Sequence, residues 1–319
     1  MNLATDRIDF VTPAPSAGVW EVNWRHGVAS RRHAAEPLIQ VHHLDEHTVV
    51  LRQSKQTSYE APFLFLLFGN DRALLLDTGA TADAARFPLR ATVDGLIDAW
   101  LAEHPREGYE LVVAHSHGHG DHVTADVQFT DRPSTTVVPR DADAVAAFFG
   151  FGEGWPTATV AFDLGGRVLE VIGSPGHHKA AVTIYDPWTA TLFTGDTVLP
   201  GRLYAFDYPA FLDTLDRLVA FATNHAVRHV VGCHVEMSDR PGRDYPLGAT
   251  YQPRERVPWM SAAQLAAVRD AAVSVASTRG RHVFDDFVIY NEPRQRDMLR
   301  LMARGLVHKA CNAVVGRRS

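Results

Sequence analysis

Cysteine is nearly missing from this chain: 319 residues hold two, Cys233 and Cys311. That excludes a disulfide framework and makes a reducing compartment the simplest expectation. Long apolar runs are missing too. The longest, such as FLFLLF at Phe63 to Phe68, are strand-sized, well short of the roughly 18 uninterrupted apolar residues a spanning helix needs. The opening stretch MNLATDRIDFVTPAPSAG has no apolar segment behind a basic one, so no secretory signal is read there and the cytoplasm is the expected location. Positive charge is not in excess. A formal net charge of −6 weighs against general affinity for nucleic acid or for an anionic membrane surface. Repeats and low-complexity segments are absent. What remains, 46% hydrophobic and 21% charged residues, suits a large folded unit with a sizeable core.

Along the chain, residues 1–46 read as an irregular arm, with Pro13, Pro15 and a basic SRRH at Ser30 to His33. From His47 the pattern changes. TVVLRQS, APFLFLLFG and DRALLLDTG read as three strands, and TVDGLIDAWLAEH as an amphipathic helix through Val93, Leu96, Ile97, Trp100 and Leu101. ELVVAHSH follows as a buried strand. TADVQF and DADAVAAFFG then read as helical, and STTVVP, RVLEVIGSP, AAVTIYD and ATLFTGD as strands. PAFLDTLDRLVAFAT reads as a helix with Pro209 in its first turn, and RHVVGCH as a further buried strand. The span 47–253 is the expected core. Residues 254–319 form an expected extension packing on it: a helix (SAAQLAAVRDAAVSVAS), a strand (HVFDDFVIYN) and a final helix from about Pro293.

Several of these strands end in chemically loaded turns. HSHGHGDH, from His115 to His122, holds four histidines and an aspartate in eight residues, with Gly118 and Gly120 expected to supply turn conformations barred to larger residues. His177 follows Pro175-Gly176, Asp196 ends LFTGD and His234 ends VVGCH. With His117, His119, Asp121 and His122, these supply five imidazoles and two carboxylates. Seven donors are too many for one zinc ion, which takes about four. They suit two divalent ions sharing a bridge. Without a thiolate among them, the donors fit Zn²⁺ and also Fe or Mn. Two such ions about 3.5–4 Å apart acidify a water held between them, so the chemistry expected is hydrolytic.

HGHGDH matches the HxHxDH signature of the metallo-β-lactamase-fold hydrolases. SPGHH, FTGD and GCH resemble that family's later metal motifs, in the family's order, and LLLDTG at Leu74 to Gly79 resembles its first motif. The resemblance covers roughly residues 47–236. It implies an α+β fold, an αββα four-layer sandwich with the metals at one edge of its two sheets. It also implies that His117, His119 and His177 hold one metal, that Asp121, His122 and His234 hold the other, and that Asp196 bridges them. Asp121 would orient the hydroxide and accept a proton, and Asp77 would fix the site by hydrogen bonds. His115 reads as a hydrogen-bonded structural histidine and Cys233 as a small buried residue. The spacing favours His177 over His178.

After Asp196, the stretch TVLPGRLYAFD offers Arg202 and Tyr204 as substrate contacts: an arginine fork for a carboxylate or phosphate, and a hydroxyl for a developing oxyanion. The alternative is that both pack the loop. Arg240, Arg243, Tyr245 and Lys179 offer a basic rim on the same terms. The expected activity is hydrolysis of an ester, thioester or lactone of a small molecule, resembling glyoxalase II or a lactonase. Nucleic acid and membrane are not expected partners; a homodimer is an open possibility. Two alternatives stand beside the hydrolase. Members resembling the persulfide dioxygenases bind a single iron and consume oxygen, and a metal-binding member without catalysis would do neither.

Overall fold

Both faces of FLFLLF are covered, and this sets the architecture. In strand β3 (Phe63–Phe68) all six side chains are buried, yet they divide by period two. Phe63, Phe65 and Leu67 pack into one hydrophobic cluster, and Leu64, Leu66 and Phe68 into another. A strand buried on both faces reads as a continuous apolar run, and each such side chain contributes about 1.5–3 kcal/mol of transfer free energy. The computed structural model describes residues 7–29 and 36–315; the SRRH stretch lies outside the described residues.

β3 sits within a six-stranded sheet whose spatial order follows the chain. Its other members are β1 (Ile39–Asp45), β2 (Thr48–Gln53), β4 (Arg72–Leu76), β5 (Glu110–Ala114) and β6 (Thr135–Val137). β4, β5 and β6 run parallel, and helix α1 (Leu89–Glu103) covers the outer face through Leu89, Val93, Ile97 and Trp100. The second six-stranded sheet takes β7 (Thr159–Asp163), β8 (Val168–Gly173), β9 (Val182–Asp186), β10 (Thr191–Gly195), β12 (His229–Gly232) and β13 (Trp259–Met260). Helices α4 (Tyr208–Asn224) and α5 (Ala262–Ser274) cover its outer face. The largest cluster, with Phe65, Leu76, Ile184, Phe193 and Val231, lies between the sheets. The layers are therefore αββα, as the resemblance implied.

At the end of the sandwich where β8 begins, Arg167 ties the layers together. Its guanidinium is 1% exposed and pairs with Asp186 at 2.6 Å, while also donating to the carbonyls of His47 and Phe68 and to the Thr48 hydroxyl. Nearby, the Trp100 indole N–H donates to His47 Nδ1 at 3.2 Å.

Differences from the sequence reading have local causes. β1 lies within the span assigned to the arm; it is an edge strand, IQVHHLD, buried only at Ile39 and Leu44, and so carries little apolar signal. The arm's other described residues follow the molecule's surface, with Val19 bonded to Leu44, Ser16 to Trp188 and Gly27 bridged to Tyr251. TADVQF forms a 3-10 turn over Thr124–Gln128 after the four-residue helix α2 (Gly120–Val123). DADAVAAFF gives helix α3 (Ala142–Phe149), capped by Asp141. HVFDDFVIYN is not one strand. It is a hairpin of β14 (Gly280–Val283) and β15 (Val288–Asn291) that turns at Asp285-Asp286, and β15 pairs in parallel with β11 (Arg202–Ala205). Helix α6 (Gln295–Val315) follows. Among the described residues no helix is long and apolar enough to cross a membrane.

Candidate metal centre

The C-terminal ends of β4, β5, β10 and β12 meet at one edge of the sandwich, and the loop after β8 joins them. Asp77 follows β4, His115 to His122 follow β5, His177 follows β8, Asp196 follows β10 and His234 follows shortly after β12. Gly195 lets two of these ends approach: it has φ +55°, and a Cβ there would lie 2.6 Å from that of Ser116. Gly176, at φ +135°, lies against the backbone of Phe211 where a Cβ would meet it at 2.5 Å. The expectation for Gly118 and Gly120 is corrected: neither adopts positive φ. Gly118 instead admits the His178 ring, whose nearest atom would lie 3.1 Å from an added Cβ.

The donors gather into two groups. His117, His119 and His177 form one; Asp121, His122, Asp196 and His234 form the other, and within each the ligand atoms lie within 4.8 Å of one another. His117 Nε2 and His177 Nε2 approach His119 Nδ1 at 2.9 and 3.0 Å. Asp196 stands between the groups. Its Oδ1 is 3.6 and 3.5 Å from His122 and His234, and its Oδ2 is 3.8 Å from His177.

Outer partners decide which way each imidazole's lone pair points. His177 Nδ1 donates to the Tyr204 carbonyl at 2.8 Å and His234 Nδ1 to the Glu60 carbonyl at 3.1 Å, so both Nε2 atoms face inward, toward the other donors. His122 Nδ1 bonds Asp77 Oδ2 at 2.9 Å. Asp77 is wholly buried and also accepts from the Ser116 N–H and hydroxyl and from the Cys233 thiol. It sits at φ +68°, a left-handed conformation that aspartate tolerates better than most residues. Cys233 is therefore a buried donor, its thiol pushed up well above the usual range by burial and then by Asp77. His115 pairs with Asp126 at 2.8 Å, away from both groups, and His178 lies outside them.

The donor set asks for positive charge. Burial pushes His117, His119 and His177 down, so that lobe resists protonation. Burial also opposes charge on His234, but Asp196 and Asp121 carry it up to about 9. Asp196, raised by burial, is drawn to about 2 by His234 and His122. Its Oδ1 is buried with no hydrogen-bond partner. Unprotonated imidazoles 3 Å apart beside an unpartnered carboxylate oxygen fit divalent cations, with donors of the type zinc accepts.

The adjoining cleft is lined by Asp121, Asp196 and His234 and, beyond them, by Lys55, Tyr59, Glu60, Glu236 and Gln252, none of which the sequence reading singled out. Arg202 and Tyr204 line it too, and of the two readings of Arg202 its contacts are those of the packing one. Its guanidinium is buried and engaged by Glu236 at 2.5 Å, Asp244 at 2.9 Å, the Tyr245 carbonyl at 2.8 Å and the Tyr204 hydroxyl at 3.1 Å. No fork is left for a substrate. Arg240, Arg243, Tyr245 and Lys179 do not line the cleft.

Residues 61–276 match the family model described as the metallo-beta-lactamase superfamily. Among curated proteins, a hydroxyacylglutathione hydrolase from Rhizobium meliloti is 28% identical over 51% of this chain and 63% of its own length. Another of that name, from Synechococcus sp., is 35% identical over 35% of this chain and 45% of its own length. The chain thus spans about half to two-thirds of these relatives. Among solved structures, a metallo-beta-lactamase from Pontibacter korlensis is 17% identical with a TM-score of 0.48, covering 74% of this chain and 99% of that one. The DIM-1 metallo-beta-lactamase is 12% identical with a TM-score of 0.47, covering 75% and 99%.

Proposed function

The chain belongs to the metallo-beta-lactamase superfamily, and from that premise we propose that it is a metal-dependent hydrolase acting on an ester, thioester or lactone of a small molecule. The observation that carries this reading is Asp196, whose two oxygens face the two donor groups while Oδ1 lacks a partner. On this reading His117, His119 and His177 would hold one divalent ion, Asp121, His122 and His234 the second, and Asp196 both. Zn²⁺ suits these donors best, with Fe or Mn as the other candidates. Bound there, the pair would acidify a water and polarise the scissile carbonyl.

The chain's own groups then divide the remaining work. Asp121, partly open to the cleft, orients the attacking water and takes its proton. Tyr204 donates to the developing oxyanion: its hydroxyl oxygen accepts from Arg202 Nε, which leaves its own proton to turn toward the cleft. Arg202 positions that hydroxyl and does not touch substrate. Asp77 holds His122 in the tautomer the site needs. The name of the curated relatives, hydroxyacylglutathione hydrolase, supports an acyl compound as substrate. The same reading takes the cytoplasm as the compartment.

The test is elemental analysis of the purified, unsupplemented protein, followed by a panel of esters, thioesters and lactones. Two metal equivalents and metal-dependent, oxygen-independent turnover are expected. One iron with consumption of oxygen, or no metal at all, would overturn the proposal. Asp196→Ala should abolish activity and lower occupancy of both metals, whereas His115→Ala should keep near-normal metal content; the reverse pattern would show the ligand assignment to be wrong.

A further inference from the structure

A second polar pocket opens at the surface of the C-terminal extension, lined by Arg281, Tyr290, Asp297, Arg300, Leu301 and Arg304. It shares no lining residue with the metal-side cleft. Three arginines line it against one carboxylate, Asp297, so its lining is net cationic, and Asp244 behind it is already engaged. Asp244 is 6% exposed. Its Oδ1 accepts from both Arg281 and Arg304, while its Oδ2 is held by Arg202. Asp297 is 8% exposed and turns an oxygen to the backbone N–H of Arg294. Arg300 is exposed and has no hydrogen bond or ion pair among the described residues.

Arg300 and Arg304 also sit one turn apart on α6, a like-charge spacing that Asp244 relieves at Arg304 and leaves unrelieved at Arg300. The floor is apolar or aromatic, with Tyr290 1% and Leu301 4% exposed, so a charge bound there is less screened than on open surface. Each guanidinium presents a planar fork of five donors, and the bonds to Asp244 use only part of the forks of Arg281 and Arg304.

We propose that this pocket binds an oxyanion, the phosphate or carboxylate group of a small molecule, through Arg281, Arg300 and Arg304. This goes beyond the hydrolase reading and does not depend on it. Bidentate recognition of phosphate or carboxylate is the chemistry arginine forks serve best.

The experiment titrates the full, metal-loaded chain with inorganic phosphate and separately with succinate, each against sodium chloride of equal ionic strength. Tm and binding heat are followed. At least one of the two anions should saturate and raise Tm, and which one does so identifies the source of the oxyanion. Arg300→Gln should weaken that binding about tenfold or more, the loss expected for a charge-assisted bond, with metal content unchanged. Arg281→Gln should act in the same direction. No saturable response to either anion overturns the proposal. So does saturable binding that is equally tight in Arg300→Gln, which would put the anion at the metal centre instead.

Discussion

Lys55 shows how far a single side chain is moved from its solution behaviour in this molecule. It lies in the cleft wall, almost wholly buried, 3.3 Å from Glu255, which is also paired with buried Arg52 at 2.8 Å. Two cations thus share one carboxylate, and Arg52 Nε and Nη1 have no partner. Burial drives the Lys55 ammonium down to about 8 from 10.5, with Glu255 opposing the shift and Arg52 adding to it. The folded chain therefore releases this proton near pH 8, while the unfolded chain keeps it to about pH 10.4. Between those values the unfolded state binds more protons, so this residue makes stability rise with pH. Above about pH 10 the opposite contribution begins, because burial raises the phenols of Tyr109 and Tyr59 and the unfolded chain ionises first. Urea midpoints measured from pH 7.5 to 10 should show the Lys55 contribution, and Lys55→Met should flatten it. An unchanged pH profile in the variant would refute the assignment.

Elements assemble the site by bringing strand ends together, and one glycine lets the ends of β5 and β10 meet. Gly195→Ala would force an L-residue to φ +55° and drive its Cβ into Ser116, at a cost of about 1–3 kcal/mol for the strained backbone alone. Because Ser116 bonds both Asp77 and His117, the variant should lose metal as well as thermal stability. Normal metal content with a lowered Tm would separate the two effects and contradict this coupling. The same elements explain what the sequence made legible. Strands buried on both faces, such as β3 and β10, announce themselves as apolar runs, and a histidine or aspartate at the end of such a run stands out. Tyr59 and Glu60 do not stand out. They lie in SKQTSYE, a loop without periodicity, and reach the cleft only because the Glu60 carbonyl meets His234, 174 residues away. The two readings of Arg202 stayed open for a related reason. Its partners Glu236 and Asp244 are 34 and 42 residues downstream, in a loop whose arginines drew attention before its acids. A charge count of that loop would have supplied the signal.

Across the whole molecule, two sheets must keep their spacing for the edge that gathers the donor residues to hold. Arg167 fastens the sandwich through its pairing with Asp186 and its bonds to residues of the first sheet. Arg167→Met would leave Asp186 buried without its cation, a change that costs about 3–5 kcal/mol. The urea midpoint should fall accordingly, and a variant as stable as the parent would show the pair to be dispensable. Close by, Glu46, His47 and His104 also lie near enough together to hold an ion. By distance alone they are a further candidate cluster beside the two at the sheet edge. Hydrogen-bond direction removes them from the count: because Trp100 donates to His47 Nδ1, the ring's proton must sit on Nε2, and the lone pair that would face an ion is gone. The indole bond thus weighs against an ion at this cluster. Zinc titration of the parent should stop at two equivalents, and Trp100→Phe, by letting the proton move to Nδ1, should admit a third.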